Sequence, residues 1–458
     1  MTSQVENGSS VSAHASVANP ASLYPWYATG VLMSAYVFSY LDRQILYLMV
    51  GPIRKDLHIT DFQFSLLSGA AFGIFYTFMG LPIGWLADRT NRKKLIAAGI
   101  TAWSIMTALC GLAQSYGLFF LARIGVGVGE ATLSPAAYSF LSDSFDKVRL
   151  PRAISVYGLG LFIGAGLALI IGGEVIGTVE KWGDVAIPVL GILRSWHLVF
   201  LMVGVPGLVI ALWVSTLREP ARTGVSHTVQ GALPLAEVWR FIADKPLMAV
   251  ALFIGAALFS AQAYADSWYP TLFMRLWGWK VQSAGQIVGA SSLVAGPIGM
   301  LFAGWLSSRW IARGKTDACL RITAWAALGI TLPAAFLPVA PNALVMAMLL
   351  FPFKFFIGFT PVLIPSALQM VAPNQIRAQL GAVFLFATGL IGVTGGPILP
   401  AFLSEYAFHG PLALPHALSI TAMIIGPLTF AVTWIGLGQY RDRYRVMHSG
   451  NTAAGAGG

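Results

Sequence analysis

Long apolar stretches separated by short polar connections recur along the whole chain, at 26–50, 62–87, 94–113, 118–142, 152–175, 196–217, 246–274, 282–308, 319–340, 343–371, 377–402 and 414–440. A helix of about 20 residues crosses a hydrocarbon layer of roughly 30 Å. The pattern therefore predicts an all-α membrane protein with twelve transmembrane helices, numbered here span one to span twelve. Pro and Gly lie inside many of these stretches. Soluble helices tolerate that poorly, whereas in membrane helices neighbours satisfy the freed backbone groups. The short alternating segments of a membrane β-barrel do not occur.

Composition agrees: 57% of residues are hydrophobic and 10% charged, with a mean hydropathy of +0.73, against about a quarter charged in soluble domains. The net charge of +10 acquires a cause once the spans are drawn. With the N-terminus taken as cytoplasmic, 19 of the 28 Lys and Arg residues fall in cytoplasmic segments, six on the other face and three inside spans. That bias predicts both termini in the cytoplasm and removes the need for a nucleic-acid partner. Residues 1–25 read as a disordered cytoplasmic tail without signal-peptide features, and 442–458 as a second tail. The longest cytoplasmic connection, 218–245, divides 26–217 from 246–441. Cys110 and Cys319 are expected near opposite faces and so unable to form a disulfide.

The two halves echo each other. Gly84-Trp85-Leu86-Ala87-Asp88-Arg89 ends span two, and Gly304-Trp305-Leu306-Ser307-Ser308-Arg309 ends span eight, 220 residues later. Arg152-Ala153 opens span five and Arg377-Ala378 opens span eleven, 225 residues later. Two pseudo-symmetric six-helix bundles with a site near the midplane between them are a plan of secondary transporters.

Six ionisable residues fall well inside spans, away from their ends: Asp42, Arg43, Arg123, Glu130, Asp266 and Lys354. Such residues are costly in lipid and mark functional sites by default. Arg123 and Glu130, seven apart, share a helix face. Asp266 and Lys354 stand near the repeat offset from Asp42 and Arg123. Aromatic residues crowd the same spans, among them Tyr36, Tyr40, Phe72, Tyr76, Trp268 and Phe355; such a face suits an amphipath better than a sugar, although phenylalanine-rich faces more often simply meet lipid.

Gly84 to Lys94 resembles the loop signature between helices two and three of the major facilitator superfamily, and Arg123-Ile-Gly-Val-Gly127-Val-Gly129-Glu130 resembles its fourth-helix motif. Tyr40-Leu41-Asp42-Arg43-Gln44, with Arg123 and Glu130, is similar to the Spinster group, whose animal members export sphingosine-1-phosphate or lysophospholipids. The resemblance covers essentially the whole chain. It implies that spans one and four line one cavity, where Asp42 would meet Arg123 and Arg43 would meet Glu130. Asp42 and Glu130 would then carry coupling protons, with Arg43, Arg123, Lys354 and Asp266 at the substrate. It also implies a cytoplasmic gate of Gly84, Asp88, Arg89, Arg92 and Arg152, Asp88 bonding to a helix N-terminus or to Arg152. The alternative is structural: fixed salt bridges locking spans one and four, Lys354 snorkelling or paired with Asp266, and Arg92 with Lys93 and Lys94 as an orientation signal. Asn91 replaces the usual loop Gly, which a left-handed turn would allow. Ser308 replaces the acid in the second copy. Span five lacks the Gly-Pro ending of drug/proton antiporters, which weakens a drug-efflux reading.

The expectation is a proton-coupled carrier, working by alternating access, of an amphipathic anion such as a lysophospholipid or sphingoid phosphate. An organic-anion/proton symporter or drug efflux carrier of the same superfamily is the alternative. It would be a monomer in the cell inner membrane, surrounded by lipid, with no cofactor beyond the proton gradient. A membrane enzyme would need clustered His, Cys or carboxylates, and the seven His are scattered. A channel would need rings of like charge or a filter loop.

Overall fold

The computed structural model describes residues 23–87, 89–146, 149–187, 191–222, 235–373 and 376–454. Among them, ten helical runs are long and apolar enough to cross a membrane. The helices Tyr24–Leu48 and Arg92–Cys110 stand in the places of spans one and three. Local signals set the starts. Thr60 forms a capping box with Gln63 before span two (Asp61–Ala87). Ser115 caps span four (Tyr116–Ser144), and Asn342 caps span ten (Ala343–Val371). Asn91 is also an N-cap: its backbone is extended (φ −68°, ψ 113°) and its side chain accepts from the Lys94 N–H at 3.1 Å. The left-handed turn expected of Asn91 is thus replaced by helix capping.

Spans four and ten break at matching places. The first breaks at Ala131–Thr132, just after Glu130, and the second at Gly358–Phe359, one turn after Lys354. Spans two and eleven widen into π-helical turns at Leu66–Ile74 and Thr388–Val393, which face each other across the halves. Span five (Leu150–Val179) crosses span eight (Val281–Ala312) closely; a Cβ on Gly289 would sit 2.5 Å from the Gly166 carbonyl oxygen. Small residues that let backbones approach are the usual basis of helix packing in lipid.

Three segments depart from expectation. The connection between spans five and six contains a two-stranded ribbon, Val185–Ile187 antiparallel to Gly191–Leu193, outside the spans. Of the 218–245 linker, Leu235–Asp244 is a helix that buries Val238 and Phe241 with Met248, Ile376, Leu437 and Tyr440 of the second half. The stretch read as a tail from 442 continues the helix Leu437–Ala454. Arg443 anchors it, lying 3.3 Å from Asp244 and 5.0 Å from the Phe241 ring centre. Cys110 and Cys319 are both buried and free.

Candidate functional site

Consecutive residues on a helix point about 100° apart, and span one uses that divergence. Tyr40, Arg43, Gln44 and Tyr47 face a cavity between the halves. Asp42 turns instead toward span three, where the Thr107 hydroxyl donates to its Oδ2 at 3.2 Å. The expected meeting of Asp42 with Arg123 does not take the form of a hydrogen bond or ion pair: the contact given to the Asp42 carboxylate is Thr107, although the Arg123 charge stands near enough to act on it. Arg43 does meet Glu130, its Nε 2.6 Å from Oε2. The Arg43 guanidinium also lies over the rings of Tyr40, Phe72 and Tyr76, at 5.1, 4.6 and 4.7 Å. Such a cage is worth on the order of 2 kcal/mol per desolvated cation–π contact.

Arg123 is 1% exposed, and its Nε and Nη1 have no hydrogen-bond partner. The Phe72 ring stands 5.3 Å from it, so one ring separates the caged Arg43 from Arg123 and its unsatisfied donors. Gly127 makes this possible: a Cβ there would lie 2.6 Å from the Phe72 carbonyl oxygen. Leaving a buried charged donor unsatisfied costs more than the ~1–3 kcal/mol of a neutral one. Across the cavity, Lys354 pairs with Asp266, which sits on a 3₁₀ turn of span seven (Pro246–Trp277). The cavity has space for a water or two and is lined by Arg43, Arg123 and Asp266 together with Gln44, Ser68 and Tyr264, among others. Glu130 and Lys354 stand behind their partners; Asp42 faces away.

Gln44 belongs to the span-one motif, but Tyr47, Ser68, Ser267 and Tyr264 carry no signal of the site in the sequence. Uncharged polar residues in apolar spans are too common to distinguish, although Tyr264 stands two residues before Asp266. Of the crowded aromatics, Tyr40 and Phe72 line the cavity. Trp268 is buried with its indole N–H on the Pro397 carbonyl at 3.0 Å, and Phe355 packs on Phe302 at 5.5 Å.

The halves are closed at the end bearing Asp61. Arg275 of span seven grips Asp61 of span two with two bonds of 2.7 Å, and Arg54 shares that carboxylate at 3.1 Å. Phe62 adds ring contacts to Phe402 and Tyr406. At the opposite end Phe78 meets Phe386, and among the described residues no ion pair joins the halves there. Tyr138 is 42% exposed, and Arg89 and Arg152 are exposed.

Asp88 lies outside the described residues. Arg89 stacks on Trp85 at 3.8 Å and Arg309 on Trp305 at 5.6 Å, one pair in each copy of the repeat. Gly84 packs loosely against Pro135, 4.0 Å from an ideal Cβ. Arg92, expected at a gate or as an orientation signal, is 0% exposed. It bonds to Glu219 at 2.7 Å, to the Ser139 carbonyl at 3.0 Å, to the Pro220 carbonyl at 2.9 Å and to Asp143. In this structure it fastens spans three and four to the segment after span six, all within the first half.

A family model described as Major Facilitator Superfamily matches residues 32–397. The chain belongs to the major facilitator superfamily. This facilitator is 27% identical to an MFS-type efflux pump of Mycolicibacterium smegmatis, over 91% of its own length and 93% of that protein. It is 27% identical to protein spinster homolog 1 of Xenopus tropicalis, over 92% and 82% of the two chains. Its fold matches, with a TM-score of 0.73, the crystal structure of a bacterial homologue of the human lysosomal transporter Spinster in an inward-facing, unoccupied conformation; the two are 25% identical over 93% of this chain and 98% of that one. The chain is thus a multi-span membrane transporter with Spinster relatives, and not an enzyme.

Proposed function

We propose that this facilitator moves an amphipathic anion, such as a lysophospholipid or sphingoid phosphate, by proton-coupled alternating access. One observation carries the reading: the buried Arg123 guanidinium with unpartnered donors beside a cavity. A phosphate or carboxylate headgroup supplies the acceptors those donors lack, and a guanidinium fork suits it. The aromatic lining at Tyr40, Phe72 and Tyr264 suits the apolar part that follows. The Spinster relatives support the lipid class.

Coupling follows from the Arg43–Glu130 pair. While Glu130 is ionised it holds Arg43 in its aromatic cage. Protonated, Glu130 loses its charge, and Arg43 becomes available to the substrate anion beside Arg123. Asp42, which accepts from Thr107 and makes no direct ion pair, is the second proton carrier, with Lys354–Asp266 the exchangeable pair of the other half. The halves, 26–217 and 246–441, move as units in a bacterial inner membrane, with both termini cytoplasmic and the Asp61 end outward. The present arrangement then faces the cytoplasm. The protein acts as a monomer, since one chain holds both halves of the site.

The test is equilibrium binding of a fluorescent lysophosphatidic acid analogue and its phosphate-free monoacylglycerol counterpart to purified protein. The reading expects at least tenfold preference for the phosphate form, lost in Arg123→Gln. Equal binding of both would refute it. The efflux-pump relative keeps a second reading open, in which an uncharged or cationic drug is the preferred ligand in the same assay.

A further inference from the structure

Away from the cavity, spans nine (Ala318–Val339) and twelve (Ala413–Met447) carry a second concentration of charge and rings. Asp317, 2% exposed, stands at the residue before span nine without a capping side-chain hydrogen bond. Arg321 Nη2 reaches its Oδ2 at 2.7 Å, and Arg441 Nε lies 3.7 Å from the same oxygen. One carboxylate thus faces two guanidinia, so the trio keeps a net positive charge. Both guanidinia are partly open, their side chains 30% and 46% exposed, and Arg321 Nε has no hydrogen-bond partner. On the same helix as Arg441, Asp442 and Arg445 are both exposed, and Arg443 is engaged by Asp244.

Beside this trio Trp325, Phe430 and Trp434 pack ring to ring, with centroids 5.2–5.8 Å apart, and Arg321 stands 5.8 Å from the Trp434 ring. Trp325 is 52% and Trp434 38% exposed. Neither span contributes a residue to the cavity, and the exposed rings lie on the outer surface of two apolar spans, where lipid would be their solvent. Tryptophans at a helix end beneath arginines mark the level of the headgroups, and basic pockets between membrane helices hold anionic headgroups.

We propose that this face of spans nine and twelve binds one anionic phospholipid, its phosphate against Arg321 and Arg441 and an acyl chain along Trp325 and Phe430. A zwitterionic lipid brings a cation to a cluster already positive, and an exposed apolar face alone would not discriminate. The site is independent of the transported substrate.

The experiment is native mass spectrometry of the full-length protein released from detergent, titrated with phosphatidylglycerol or phosphatidylcholine of matched chains. The wild type is expected to retain one phosphatidylglycerol in preference to phosphatidylcholine. Arg321→Gln and Arg441→Gln should each weaken that retention about fivefold, and the double variant about thirtyfold; Arg441 is peripheral enough to keep the test valid if the Arg321 variant folds poorly. Equal retention of the two lipids, or a preference that survives in the double variant, overturns the proposal. So does displacement of the lipid by an equal concentration of glycerol 3-phosphate, which would mean that the cluster reads phosphate without the lipid.

Discussion

Replacing Asp61 with Asn removes the charge that joins the halves at their closed end. Arg275 loses a bidentate contact made at 2.7 Å by both nitrogens. Arg54, from the same half as Asp61, is left without its ionic partner but gains no cross-half contact. A charge-assisted pair in a sheltered place contributes about 1.5–3 kcal/mol, and an exposed one about 0–1. The side chains here are 15% and 31% exposed, which puts the latch at about 1 kcal/mol. Alternating access is a near-balanced equilibrium, so that amount moves the ratio of closed to open about fivefold. Spin labels at the exposed positions 55 and 280, one in each half, report the separation by pulsed dipolar spectroscopy. The Asp61→Asn protein should gain a longer-distance population, and an Asp61→Arg, Arg275→Asp double exchange should recover much of the short one. An unchanged distance distribution in Asp61→Asn would refute the idea that this ion pair helps hold the end shut, and would leave the work to Phe62, Phe402 and Tyr406.

Arg92→Ala removes the cation that Asp143 and Glu219 share, a side chain only 1% exposed. The expected loss is about 2–3 kcal/mol, below the full value for a buried pair because both acids can rehydrate; a thermal melt in detergent should show a drop that Lys94→Ala, at an exposed position, does not. Gly289→Leu drives a side chain into the Gly166 carbonyl and should abolish transport while expression persists, read by uptake against surface yield. Glu130→Gln keeps the shape but frees Arg43 from its ionic partner; substrate exchange should continue while dependence on the proton gradient disappears, and gradient-driven uptake at the wild-type rate would remove Glu130 from the coupling scheme.

The spans were legible because lipid imposes one rule on every residue of a membrane helix, and Arg43, Glu130, Asp266 and Lys354 stood out as violations of it. Which acid meets which base was less legible. Asp42 and Arg43 differ by one position, and that 100° turn sends one to Thr107 and the other to Glu130. Motif spacing sees height along a helix better than direction around it. Arg92 looked like one of three loop cations, yet Lys94 is exposed and Arg92 buried, a difference set by Glu219, 127 residues away. Asp61 and Arg275 carried no intramembrane signal at all. Each is an ordinary helix-end charge, an acid in a first turn and a base in a last one, and only the packing of the halves brings them together.

The central claim is that a buried arginine with two unsatisfied donors receives an anion whose passage is driven by protons. Proton-gradient-driven uptake of a fluorescent lysophospholipid into proteoliposomes tests it most directly, with wild type beside Arg123→Gln and Asp42→Asn. The account predicts uptake that requires the gradient, is lost in Arg123→Gln and becomes independent of the gradient or stops in Asp42→Asn. Uptake that ignores the gradient in the wild type and survives in both variants would contradict it.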